Sequence, residues 1–329
     1  MSYQIDADGT VHLGDVRVPV PHSLSDQARA YLSTDPWAAA PMPDEPVPMW
    51  AMRDAMAPAF DALNTQAQAL YPVNIEEVRL GGVRCHRIRP ADADCRRREG
   101  LLINLHGGGF VVGSGALVEA IPVAALTGFE VIAVDYRLAP EHPYPAAVDD
   151  VLAVYRACLA DHDAARVGLY GSSAGGFLTA QAIASMQRES LPVPACAGVF
   201  SAGGSLADLG DTRSIFTLSG FYGQHSLPLG HPLSELTVYL AGADPNDPLV
   251  SPELGDLSAF PPTLLVSGTR DALLSATANF HRALLRAGCA AELIVYDAMP
   301  HSHWYALDLP ETRETLEFMS AFFFRHLAA

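Results

Sequence analysis

From about Asn74 onward the chain alternates between short apolar runs and longer stretches with helical spacing. The apolar, β-rich runs are Leu101–Leu105 and residues 131–135, 167–170, 197–201, 263–267 and 291–296. Runs this short read as strands buried on both faces. Helical periodicity appears between several of them, at 146–159, 174–187 and 276–286, where Ala276, Phe280 and Leu284 share one face. A closing helix carries Leu316, Met319 and Phe323 at the same spacing. Strand–helix alternation of this kind predicts an α/β fold, with a mostly parallel sheet covered on both faces by helices.

Two segments break the alternation. Residues 1–75 begin with a candidate hairpin from Ile5 to Val18, turning at Asp8-Gly9 and Gly14-Asp15. A helix capped by Ser23 or Ser25 follows. Five prolines then fall between Pro36 and Pro48, which demands an irregular, extended path. A further helix spans about 49–70, where Pro58 is expected to kink or split it. This stretch reads as a cap rather than a second catalytic domain. The second break, about 205–250, is rich in Gly, Pro, Ser and Leu, and reads as a lid inserted into a catalytic domain spanning 76–329.

The chain is 329 residues long and half hydrophobic, enough for one large core. No apolar run reaches the roughly 18 residues of a membrane span, and Met1 to Asp6 has neither a basic nor an apolar leader region. The expectation is a cytoplasmic protein without stable membrane insertion. The five cysteines, Cys85, Cys95, Cys158, Cys196 and Cys289, are scattered and form no CxxC pair, so neither a disulfide framework nor a zinc site is expected. A formal net charge of −17 repels nucleic acid. All 20 basic residues are arginine. The absence of lysine excludes a Schiff-base lysine, a P-loop lysine and a Ser-Lys dyad.

Against that background, four motifs carry chemistry. Gly171-Ser172-Ser173-Ala174-Gly175 lies between a strand and a helix, the context that G-x-S-x-G requires. The glycine frame selects Ser173 as nucleophile, and the Ala174 N–H at the helix start points where an oxyanion would form. His106-Gly107-Gly108-Gly109-Phe110 follows an earlier strand. Its glycines let backbone N–H groups approach a ligand, which makes Gly107 and Gly108 the further oxyanion donors. A phosphate loop is the rival reading, but there is neither a lysine nor GxGxxG spacing. Asp271 lies just beyond the strand at 263–267, within reach of a base. In Met299-Pro300-His301-Ser302-His303-Trp304, two histidines compete for the role of base. His301 is preferred, with His303 in the pocket wall; a metal-binding H-x-H pair would need further ligands that the spacing does not offer. Phe110, Phe221, Tyr222 and Trp304 are further candidate pocket residues.

These motifs, together with Asp135-Tyr136-Arg137-Leu138-Ala139-Pro140-Glu141 and Asp247-Pro248-Leu249, resemble the hormone-sensitive lipase family of esterases and lipases. The resemblance covers roughly residues 75–327. It implies an α/β-hydrolase fold with an eight-stranded, mostly parallel sheet and a helical cap. It also implies hydrolysis of short- to medium-chain carboxylic esters without a cofactor or metal, through Ser173, Asp271 and His301. Two positions depart from the family's pattern. Ser172 stands where aspartate is common, and Ser302-His303 where a small residue and phenylalanine are usual. The substrate expected is a small-molecule ester, and homo-oligomers are compatible with the sequence. The same chemistry would serve an amidase, a lactonase or a peptidase, and a non-catalytic receptor could retain the fold.

Overall fold

A computed structural model describes residues 4–6, 10–13, 15–34, 47–91, 99–223 and 227–327. The proline-rich stretch falls mostly outside these residues, as do the turns expected at Asp8-Gly9 and Gly14. The chain opens with a small antiparallel sheet of β1 (Gln4–Ile5), β2 (Val11–Leu13) and β3 (Val16–Val18). Helix α1 (Asp26–Leu32) is capped by Ser25, whose Oγ accepts the Ala28 N–H at 3.1 Å. Helix α2 (Arg53–Leu70) runs on from a short 3-10 turn and is not split at Pro58. Pro58, the sixth residue of this helix, forgoes the bond to the Asp54 carbonyl and crowds it, yet the helix continues through it.

The main sheet comprises β4 (Val73–Leu80), β5 (Val83–Pro90), β6 (Leu101–Leu105), β7 (Glu130–Val134), β8 (Val167–Ser172), β9 (Cys196–Phe200), β10 (Thr263–Arg270) and β11 (Ala291–Pro300). Their spatial order is β11-β10-β9-β8-β6-β7-β5-β4. The six strands β6 to β11 are parallel to one another, whereas β4 and β5 form an antiparallel hairpin added, also antiparallel, at the β7 edge. The hairpin is half-exposed and alternates charged with apolar residues, so it lacks the all-apolar signature of the central strands.

The helices interleaved with these strands are α3 (Ala120–Thr127), α4 (Ala146–Cys158), α5 (Ala174–Arg188), α6 (Glu235–Leu240), α7 (Leu274–Arg286) and α8 (Pro310–Leu327). Successive strand side chains point to opposite faces. Leu101, Ile103 and Leu105 accordingly join a cluster with Val151 of α4, Leu178 of α5 and Phe280 of α7. Leu102 joins Ile121 of α3 and Leu316, Met319 and Phe323 of α8 on the other face. Burying these large side chains contributes roughly 1.5–3 kcal/mol each. Because the central strands run parallel, the loops after β6, β8, β10 and β11 all emerge at one edge, where ligands of open α/β sheets bind. Among the described residues no helix is long and apolar enough to cross a membrane.

Candidate active site

Ser173 occupies a one-residue turn between β8 and α5, with φ 54° and ψ −123°. A non-glycine residue at positive φ is strained and persists only where its surroundings hold it. Here the Ser173 N–H donates to Phe200 O at 2.9 Å, and the Ser173 carbonyl accepts from Gly176 N at 3.0 Å. The flanking glycines are required by close approach. A Cβ on Gly171 would lie 2.3 Å from Leu105 O, and one on Gly175 only 1.9 Å from the same atom. The turn is therefore pressed onto the end of β6, beside the glycine loop that follows it.

That loop is braced by His106. Its ring stacks on Tyr136 with centroids 4.2 Å apart, and Nδ1 lies 2.7 Å from Gly107 O. The Tyr136 hydroxyl donates to His106 O at 2.7 Å. Burial pushes the His106 pKa down, so this ring is a neutral structural member. Gly108 has φ 119°, and a Cβ there would lie 2.3 Å from Val112 O. The loop conformation thus excludes any other residue at this position.

Asp271 and His301 come together from the ends of β10 and β11. Asp271 is wholly buried; its Oδ1 lies 2.8 Å from His301 Nδ1 and accepts the Leu273 N–H at 2.9 Å, while Oδ2 accepts the Ser267 hydroxyl at 2.8 Å. Burial alone would raise the carboxyl pKa. The His301 charge and the hydrogen bonds from His301, Ser201 and the Leu273 amide outweigh it and hold the group at about 2.

Ser173 and His301 line one cavity of about 310 Å³. Its floor includes Gly107, Gly108, Gly109 and Ala174, and Phe110 forms part of the wall, with its ring stacked on Tyr239 at 3.7 Å. The remaining wall comes from residues that the sequence pattern did not single out. Tyr31, Met49, Met56 and Phe60 belong to the first 75 residues, and Leu209, Leu218, Glu235 and Leu236 to the stretch between β9 and β10. Met49, Met56 and Phe60 do fall on one helical face, but spacing alone could not show what that face meets. Tyr305 also lines the cavity and lies beside Ser172, with hydroxyl oxygens 3.3 Å apart.

Four expected pocket residues lie elsewhere. His303 is buried against Trp304, with Nε2 2.8 Å from Thr315 Oγ1, and burial lowers its pKa to about 3. Trp304 is turned beneath the sheet, where Nε1–H donates to Glu119 at 2.7 Å. The tight turn at Ser302, φ 49°, sends His301 and His303 in different directions although they are only two residues apart. Phe221 is buried outside the cavity wall, and Tyr222 pairs with Phe216, rings 5.2 Å apart. Among the described residues no group of three or more His, Cys, Asp or Glu could hold a metal ion.

Comparison with known proteins agrees with this architecture. A family model described as alpha/beta hydrolase fold matches residues 102–305. An acetyl-hydrolase of Streptomyces hygroscopicus is 35% identical over 251 residues, covering 74% of this chain and 81% of that protein. An esterase of Acinetobacter venetianus is 29% identical over 276 residues, covering 82% and 88%. The solved structure of an esterase superposes with a TM-score of 0.81 at 31% identity, covering 96% of this chain and 98% of the other. An esterase from the bacterial hormone-sensitive lipase family superposes with a TM-score of 0.71 at 29% identity, covering 85% and 96%. The chain therefore belongs to the α/β-hydrolase family, among the carboxylic ester hydrolases of the hormone-sensitive lipase type.

Proposed function

We propose that the protein hydrolyses short- to medium-chain carboxylic esters, acetyl esters among them, by two-step acyl transfer from Ser173. The observation that carries this reading is the convergence of three separate strand ends. The strained Ser173 and His301 share one cavity, and His301 is paired with the buried Asp271. In the first step His301 takes the Ser173 proton as Oγ attacks the ester carbonyl, and Asp271 orients and stabilises the imidazolium. The negative oxygen of the tetrahedral intermediate is held by the N–H of Ala174 and by amides of the glycine loop, Gly107 and Gly108. Gly109 borders the same space. The proton returns to the departing alcohol, and water then repeats the cycle on the acyl-enzyme.

The two segments outside the strand–helix alternation are assigned here to one cap. Residues 1–75 supply Tyr31, Met49, Met56 and Phe60, and the insertion at about 205–250 supplies Leu209, Leu218, Glu235 and Leu236, to the same cavity. These mostly apolar walls suit an acyl or alkyl chain. The acetyl-hydrolase relative favours the short end of the range. Hydrolysis of p-nitrophenyl esters of increasing acyl length, run with chelator, tests the reading. Turnover that peaks at short acyl chains and is unaffected by chelator is the expected result. Absence of turnover at every length, or its loss with chelator, would refute it.

A further inference from the structure

We propose that Glu119, a carboxylate outside the reacting groups, is a positioning residue that locks the nucleophile turn, the base loop and the strand leading to the glycine loop into one register. This inference rests on the esterase reading above. Glu119 stands at the start of α3, on the α3–α8 side of the sheet, and is 4% exposed. Two donors bond it directly: Trp304 Nε1–H donates to Oε1 at 2.7 Å, and Asn104 Nδ2–H donates to Oε2 at 3.3 Å. The Ser172 hydroxyl is near enough to the same carboxylate to favour its charged form.

The position of each donor in the chain gives the arrangement its consequence. Asn104 is two residues before His106 and the glycine loop. Ser172 immediately precedes the nucleophile, and its hydroxyl lies 3.3 Å from that of Tyr305 in the cavity wall. Trp304 is three residues beyond His301 and lies on the far side of the turn made by Ser302. One side chain thus joins the three segments whose relative placement sets the geometry of acyl transfer. Among the described residues no cation pairs with Glu119, so these donors offset only part of the cost of its burial, which still raises its pKa. A misplacement of about 1 Å at a reacting centre costs on the order of 10²-fold in rate. Loss of the junction should therefore reduce kcat while leaving the cavity walls that bind substrate in place.

Glu119→Gln keeps the shape but turns an amide N–H₂ towards donors. With p-nitrophenyl acetate as substrate, kcat should fall about 10- to 100-fold while KM stays within about threefold. Adding Asn104→Asp reverses donor and acceptor across the 3.3 Å contact and should recover at least about fivefold of the lost kcat. A kcat for Glu119→Gln within about twofold of wild type overturns the proposal, as does a loss that Asn104→Asp leaves unrelieved. Should Glu119→Gln fail to fold, Trp304→Phe removes one donor and keeps a smaller aromatic ring in its place. A kcat reduced about three- to tenfold at unchanged KM then supports the role, and an unchanged kcat overturns it. A wild-type protein inactive on every ester would refute the esterase reading itself, which is a different outcome from an active wild type that Glu119→Gln leaves untouched.

Discussion

Asp271 holds His301 from the end of the neighbouring strand, with Oδ1 and Nδ1 2.8 Å apart and the carboxylate fully buried. Asp271→Asn preserves the shape of this pair but changes which ring nitrogen of His301 carries the proton. It should lower kcat about 10⁴-fold, as the corresponding change does in the serine proteases. The pair also predicts acid behaviour. The Asp271 pKa is depressed in the fold, from 3.8 to about 2. Its contribution to stability is therefore complete above the unfolded value and is lost as pH falls through the folded one. Between about pH 4 and pH 2 the wild type should lose about 2 kcal/mol relative to Asp271→Asn. Urea unfolding of both proteins at each pH measures the difference, and parallel curves would contradict it.

Ser173 pays for its exposure at φ 54° in backbone strain. Ser173→Ala and Ser173→Gly should each reduce kcat by several orders of magnitude, about 10⁶ in a well-studied protease series. Only the glycine variant also relieves the strain. It should be more stable than Ser173→Ala by about 1–2 kcal/mol, despite glycine's greater freedom when unfolded. In a chain of this size that raises Tm by a few degrees. Residual activity within tenfold of wild type in the alanine variant would rule out Ser173 as nucleophile, and equal Tm values would remove the strain argument.

His301→Ala and His303→Ala should fail in different ways. The first removes the proposed base and should abolish turnover in a protein that still folds, because His301 faces a cavity. The second removes a buried ring that contacts Trp304 and Tyr296, together with its hydrogen bond to Thr315 Oγ1, which keeps its own bond to Glu311 O. It should cost about 2–4 kcal/mol of stability. Activity of the folded fraction should change little. Thermal melts paired with initial rates separate the two, and an inactive but fully stable His303→Ala would move the base to that residue.

The contrast between these histidines shows what the sequence pattern could carry. Wholly apolar runs located the central strands, because strands buried on both faces have no polar alternation to confuse them. The elbow was legible because close approach to Leu105 O leaves glycine as the only residue that fits at 171 and 175. The β4–β5 hairpin, half-exposed and mixed in character, lacked that signature. His303 and Trp304 were placed in the pocket by proximity to His301 along the chain. The left-handed turn at Ser302 separates them from it in space. Phe221 and Tyr222 belong to an irregular stretch between β9 and β10, where no period fixes the direction of a side chain. Glu119 had no motif around it; its role depends on three partners from distant parts of the chain.

Glu235 is a charged residue of the cavity wall, and it gives a prediction about substrate charge. It belongs to α6, with Cβ and Cγ 3.3 and 3.2 Å from where a Cβ on Gly109 would lie, and among the described residues it is the only Asp or Glu lining the cavity. Among the described residues no arginine lines the cavity to oppose the carboxylate. A fixed negative charge here disfavours an acyl or alcohol group that carries one and favours a cationic group. At about 8 Å, with an effective dielectric constant near 40, the interaction is about 1 kcal/mol, or roughly fivefold in kcat/KM. Glu235→Gln should therefore raise kcat/KM for an ester with a terminal carboxylate by about fivefold and lower it for a trimethylammonium ester by a similar factor. A neutral ester of the same size should change by less than about twofold, and the charge effects should shrink as salt is added. Equal changes for all three esters would mean that Glu235 acts through the shape of the wall rather than through its charge.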